Sequence, residues 1–172
     1  MNQEAREELI RLLPRLRRFA YGLTGNMQDA DDLVQSACER ALNRFHQWVP
    51  GTRLDSWMFR IIQNLFIDDR RKHKLRGDPV DPDDHTPVAD ANAHRLPEAR
   101  SHLSQVTAAI ERLPEDQRLV LMLVCVEEYS YRETAEMVGV PIGTVMSRLA
   151  RARIRLSQML PNSISNLGVP RP

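Results

Sequence analysis

Thr144, Ser147, Arg148, Arg151 and Arg155 recur at helical spacing and place hydroxyls and guanidinium forks on one side of a segment. Its other side is apolar, lined by Val145, Leu149, Ala152, Leu156 and Leu160. A planar guanidinium matches guanine edges and phosphate oxygens, so this pattern suits polyanion binding rather than bond chemistry. From Met137 onward the chain carries no acid, while Arg148, Arg151, Arg153, Arg155 and Arg171 follow. Groups that could make or break bonds are poorly placed. His46, His73, His85, His94 and His102 are scattered, no Cys/His spacing suits zinc, and no glycine-rich loop suits a nucleotide phosphate. Asp68 and Asp69 beside Arg70 and Arg71 read as a helix-surface ion-pair set, not an acid–base pair. The expectation is a non-enzyme with no catalytic residue, metal or cofactor.

The elements that must hold the arginine face are legible next to it. Ser130 and Glu133 have the spacing of a capping box, which starts a helix near Tyr131. Gly139 ends it, because glycine accepts a left-handed backbone there. Val140 and Pro141 bridge the turn, and Pro141 suits the start of a second helix. Ala135 four residues before Gly139, and Val145 six after it, give helix-turn-helix spacing: the small residue lets two helices approach and the glycine permits the turn. The second helix could then lie in a major groove. A bland alternative is a basic amphipathic helix with a solvated arginine face. The coincidence of cap, turn glycine, small residue and acid-free face favours DNA.

The rest of the 172 residues reads as all-helical, with sparse glycine, 42% hydrophobic and 27% charged residues. Net charge is +1, which conceals an acidic stretch from Asp78 to Asp90 and the basic end. Four helices are expected in the first seventy-odd residues. The apolar positions Leu9 to Leu23 are interrupted by Pro14, which marks a kink or a helix start. Asn26 is a candidate cap, with Ala30, Leu33, Val34, Ala37, Cys38, Ala41, Leu42 and Phe45 as an unbroken apolar stripe. Trp48 to Gly51 is a loop, and Thr52 with Asp55 resembles a cap with an acidic third position. The following helix points Leu54, Trp57, Met58, Ile61, Ile62 and Leu65 inward, and Arg53, Arg60, Asn64, Asp68 and Arg71 outward. Prolines and aspartates over 76–97 argue for a flexible linker. A second helical block starts near Pro97, another helix starts at Pro114, and the run Leu119 to Val126 is expected to be largely buried. Cys38 and Cys125 are expected to be buried, reduced thiols. The expected architecture is two small helical domains, 1–75 and 98–161, with a linker at 76–97 and a disordered tail at 162–172.

Two stretches in each half carry a resemblance. YRETAEMVGVPIGTVMSRLARAR (Tyr131 to Arg153), led by LPEDQR (Leu113 to Arg118), resembles the promoter-reading fourth region of extracytoplasmic-function (ECF) sigma factors. DADDLVQ (Asp29 to Gln35) resembles the start of that family's second region, and SWMFRIIQNLFIDDRR (Ser56 to Arg71) the helix that ends it. The matches fall in order and cover the chain apart from linker and tail. The resemblance implies a factor that binds core RNA polymerase and directs initiation by reading −35 and −10 elements and helping to open the −10 region. It also implies transcription regulation of the kind tied to stress responses, under an anti-sigma protein.

Residue roles follow from that resemblance. Asp31, Asp32, Leu33 and Gln35 fall where such factors dock on the clamp helices of the polymerase largest subunit; the flap region of the second-largest subunit is a further expected contact. Trp48, Gly51, Thr52, Arg53, Arg60, Asn64, Arg71 and Lys72 fall where the −10 element is read and melted, a task that needs a base pocket, amide contacts and positive charge. Trp57 reads as core, whereas Trp48 suits either the pocket or the core. Arg132, Thr144, Ser147, Arg148, Arg151 and Arg155 match the −35 contacts. Departures are Met146 where many members carry a basic residue, Ala150 where some carry a larger one, and Thr134 in place of an aliphatic residue, so the promoter sequence does not carry over. Two alternatives stand beside this reading: a stand-alone helix-turn-helix regulator, and a sigma mimic that titrates an anti-sigma factor. The N-terminus lacks a secretion-signal pattern and the longest apolar run is too short to span a bilayer, so the expected location is cytoplasmic without membrane insertion.

Overall fold

The structure, a computed structural model, describes residues 3–76 and 97–160, the side chains of Lys74, Arg76 and residues 97–103 excepted. The expected linker, apart from its end residues Arg76 and Pro97, lies outside the described residues, as do the tail 162–172 and the His85, His94 and His102 side chains. The helices are α1 (Gln3–Thr24), α2 (Met27–Asn43), α3 (Leu54–Arg76), α4 (Pro97–Glu111), α5 (Glu115–Leu121), α6 (Tyr131–Val138) and α7 (Ile142–Met159). A 3-10 turn at Phe45–Gln47 and a π-helical turn at Met122–Val126 complete the set, and no strand occurs among the described residues. The fold is all-α, as expected, and divides into two compact units, one centred on α1–α3 and one on α4–α7.

In the first unit the three helices pack against one another. Leu16, Phe19, Ala20 and Leu23 of α1 meet Ala30, Val34, Ala37 and Ala41 of α2 and Leu54, Met58, Phe59 and Ile62 of α3, all buried. The alanine row of α2 allows close helix approach, and the Phe19 and Phe59 rings meet edge to face at 4.7 Å. Asn26 caps α2 as expected, its side-chain oxygen accepting from the amides of Gln28 (2.8 Å) and Asp29 (3.3 Å). Gly25, at φ +72, supplies the left-handed residue between α1 and α2.

Three expectations for this unit need correction. The unit holds three α-helices and a 3-10 turn, not four helices, because α1 runs through Pro14. Pro14 is exposed, so the carbonyl one turn back that loses its amide partner lies on the solvent side, where water can take it. Leu42 leaves the apolar stripe of α2, being 53% exposed, while the unpredicted Phe59 is fully buried. Thr52 does not cap α3: its hydroxyl donates backward to the Val49 carbonyl at 2.7 Å, and the Asp55 carboxylate is held elsewhere.

The second unit closes on Leu113, Val120, Leu121, Ala135, Val145, Leu149 and Ala152, with Ile110, Val124, Tyr131, Val140 and Leu156 packed around them. The apolar run is buried only from Leu119 to Leu123. Past Leu121 the helix widens, the Glu127 amide donating five residues back to the Met122 carbonyl at 3.0 Å. Cys125 and Val126 thereby turn to solvent, and the exposed Cys125 corrects the expectation of a buried thiol. Cys38 is half-buried, and burial, then the Glu39 charge, pushes its thiol pKa up.

Candidate nucleic-acid interface

The first helix of the motif begins in a complete capping box. The Ser130 amide donates to Glu133 Oε2 at 2.8 Å, and the Glu133 amide donates to Ser130 Oγ at 3.2 Å. At its far end the Val140 amide donates to the Ala135 carbonyl at 3.1 Å across Gly139, which sits at φ +71. A Cβ at Gly139 would meet nothing within 4 Å, so the backbone dihedral rather than space calls for glycine. Pro141, at φ −58, precedes α7, and its carbonyl accepts from the Thr144 amide at 2.8 Å.

Burial of Val145, Leu149 and Ala152 fixes the rotation of α7 about its own axis. Thr144, Arg148, Arg151 and Arg155, spaced four, three and four apart, therefore share one flank, with Ser147 beside them. Arg151 and Arg155 are exposed, and neither has an acidic partner among the described residues. Ser147 Oγ donates to the Thr144 carbonyl at 3.0 Å, which leaves its oxygen free to accept. Arg148 differs from its neighbours: its Nε lies 3.0 Å from Asp116 Oδ2, and its side chain is only 24% exposed. Arg132 comes from α6, is exposed, and pairs loosely with Glu136 at 3.8 Å. Thr134 is fully buried, its hydroxyl without a hydrogen-bond partner among the described residues.

The residues expected to melt DNA are spread over two elements. Trp48 packs on Phe45 (5.2 Å between ring centroids), and Phe45 meets Trp57 edge-on at 6.3 Å. Half-buried Trp48 is thus part of an aromatic trio, its indole nitrogen buried without a partner among the described residues. Gly51 takes φ +86, and a Cβ there would meet nothing within 4 Å. Thr52 and Arg53 are exposed. Along α3, Arg60, Asn64 and Arg71 recur on one outward strip, with Lys72 on its flank, all exposed. Arg53 stands just before that strip and is tied down: Nη2 lies 2.9 Å from Asp55 Oδ2.

Sequence reasoning gave the group that ties it a different task, as the acidic third position of a cap. Asp55, its side chain 12% exposed, also accepts from Arg15 Nη1 at 2.8 Å and from the Ser56 amide at 2.7 Å. Burial alone would raise its pKa; hydrogen bonds from Arg53, the Ser56 amide and Arg15, with the Arg53 charge, outweigh that and hold it at about 2. Arg15 also lies over the Phe59 ring at 5.1 Å, which couples the ion cluster to the core. No periodicity links Arg15 to Asp55, forty residues away.

The four expected docking residues do not share one strip. Asp32 and Gln35 are exposed on the outer side of α2, and Gln35 Nε2 donates to Glu39 Oε1 at 3.0 Å. Asp31 is turned toward α1, where Arg17 grips it by two bonds of 2.6 and 2.8 Å. Leu33 is half-buried on the opposite flank. The Arg17–Asp31 side chains are 52% and 45% exposed, so solvent screens the pair and it opens readily.

Among the described residues no three His, Cys, Asp or Glu side chains gather as a metal site, and no helix is long and apolar enough to cross a membrane.

Comparison with known proteins addresses both units. Residues 9–76 match the family described as Sigma-70 region 2, and residues 103–156 match Sigma-70, region 4. The ECF RNA polymerase sigma factor EcfG of Rhodopseudomonas palustris is 36% identical over 160 residues, 93% of this chain and 87% of that protein. The ECF RNA polymerase sigma factor SigE of Mycolicibacterium smegmatis is 35% identical over 157 residues; the match spans 90% of this chain and 61% of that protein. Among solved structures, the sigma factor RpoE of Bartonella quintana, in complex with the anti-sigma factor NepR, superposes with a TM-score of 0.77 at 31% identity, covering 94% of this chain and 99% of that one.

Proposed function

This chain belongs to the ECF family of RNA polymerase sigma factors, and from that premise we propose how its surfaces divide the work of initiation. As a sigma factor it directs promoter-specific transcription initiation on core RNA polymerase. The α4–α7 unit reads the −35 element with the outward flank of α7, where Arg151 and Arg155 reach phosphates or guanine edges and Thr144 and Ser147 take the shorter contacts. Arg132 adds a phosphate contact from α6. The α1–α3 unit binds the −10 element along Arg60, Asn64, Arg71 and Lys72, with Arg53, Gly51 and Thr52 at the end of the strip. Trp48 offers its ring to an unstacked base only if the loop gives up the Phe45 contact. Asp32 and Gln35 face the polymerase clamp helices directly, Leu33 adds an apolar edge, and Asp31 joins once Arg17 releases it. The flap region of the second-largest subunit engages the α4–α7 unit.

The observation that carries this reading is the acid-free outer flank of α7, locked in orientation by the Ser130–Glu133 box, the Gly139 turn and three buried side chains. The chemistry asked of the chain is binding and strand separation, for which no catalytic group is needed. An anti-sigma partner, as NepR is to RpoE in the Bartonella quintana complex, fits as regulator, and the cytoplasm fits as compartment. A stand-alone regulator would leave the match at residues 9–76 without a use. The test is transcription by core polymerase with the purified chain on a genomic DNA library, with start sites mapped. Defined starts sharing two upstream elements are expected; failure to confer start-site selection would overturn the reading.

A further inference from the structure

Arg148 stands apart from the other arginines of α7. It lies on the same flank as Arg151 and Arg155, in a stretch of sequence without acids, yet among the described residues it is the one whose charge is met by a carboxylate. That carboxylate comes from another element: Asp116, in the first turn of α5, reaches across to Arg148 Nε at 3.0 Å. α5 packs directly on α7 through Val120, Leu121, Val145 and Leu149, so the approach is fixed by the core of the unit. The side chains are 24% and 45% exposed, so the pair is formed at the rim, where a phosphate can compete for the guanidinium.

We propose that Asp116 is a specificity-determining residue, whose carboxylate withholds the Arg148 guanidinium from DNA phosphates until the helix is seated in its site. The proposal rests on the DNA-reading role of α7 argued above. Binding to arbitrary sequence is carried almost wholly by phosphate charge, whereas base contacts distinguish one site from another. An acid that occupies one arginine of the face therefore weakens binding everywhere except where correct seating lets Arg148 exchange its partner. Arg151 and Arg155, without such an acid, act on any duplex.

The test uses the full chain and a fluorescent random-sequence duplex, with binding constants measured by anisotropy across a salt series. Asp116→Asn should bind this duplex more tightly, and the slope of log K against log salt should steepen by about 0.9, the value for one added phosphate contact. In an Arg148→Gln background the same substitution should leave the slope unchanged. Glu115→Gln, which removes a like charge one residue away, should keep the wild-type slope. Equal slopes for wild type and Asp116→Asn would overturn the proposal, as would a steepening that persists without Arg148. A wild-type chain showing no salt-dependent binding would instead strike at the DNA-reading role itself. Circular dichroism melts of each variant separate loss of fold from loss of binding.

Discussion

The same short signal stands before a helix in each half of the chain, and the two halves treat it differently. Ser130-x-x-Glu133 becomes a reciprocal cap, with both hydrogen bonds formed, whereas Thr52-x-x-Asp55 does not. In the C-terminal unit the Glu133 carboxylate stays local and accepts from the Ser130 amide. In the N-terminal unit two arginines, one from forty residues away, claim Asp55, and Thr52 turns to its own loop. A local signal predicts local structure when no distant charge outbids it. The contrast also separates two ways of presenting arginines: α7 displays them from a helix fixed by the Gly139 turn and its buried face, while Arg15 and Arg53 tie down the first turn of α3.

Substitutions at these positions can break or sharpen the contrast. Both tryptophans, Trp48 and Trp57, lie in the N-terminal unit, so tryptophan fluorescence reports its urea unfolding alone. The largest effect is expected from Asp55→Ala, which removes the mostly buried carboxylate that Arg15 and Arg53 share. Both can still reach water, so the cost should be about 2 kcal/mol, below that of a fully buried pair. The folded pKa near 2 lies under the ordinary 3.8, so this stabilisation is complete above 3.8 and lost as pH falls toward 2. The gap between wild type and variant should therefore be full at neutral pH and close through that acid window. A pH-independent gap would show that packing, not charge, is the tie.

Gly139→Ala comes next, at about 1–2 kcal/mol, the cost of a left-handed backbone for an L-residue with no steric clash added. Hydrogen exchange of the α6 and α7 amides should register it while tryptophan fluorescence stays unchanged. The two caps give the sharpest contrast: Ser130→Ala should cost about 1 kcal/mol and Thr52→Ala less than about 0.5 kcal/mol. Equal losses would mean that Thr52 supports α3 after all. The smallest effect is a gain. Glu128 holds φ +59 just before the capping box, while the Tyr129 amide donates to the Leu123 carbonyl at 3.0 Å. Glu128→Gly should relieve that strain and stabilise the C-terminal unit by about 0.5 kcal/mol, after glycine's own entropic cost.

The same contrast explains what was legible in the sequence. The motif around α6 and α7 could be read almost whole, since its cap, turn and core positions lie within thirty residues and act through the backbone. The class of fold and the outward strip of α3 followed from helical period alone. What escaped depended on distance in sequence: Arg15 reaching Asp55, Arg17 drawing Asp31 toward α1, and Asp116 meeting Arg148. Of the two readings of Pro14, a kink or a helix start, the start fails, because a proline costs a helix least where the freed carbonyl faces water. The run Leu119 to Val126 is largely buried as expected, but eight apolar residues exceed what one buried face accepts, and a π-helical turn sends its end outward.

The account rests most heavily on α7 as the element that grips upstream promoter DNA. A footprint of polymerase assembled with wild-type chain or with Arg151→Glu, on a promoter mapped by transcription, tests this directly. Wild type should protect both the −35 and −10 segments, and Arg151→Glu should lose the upstream patch together with initiation. Unchanged protection and full activity in that variant would contradict the account.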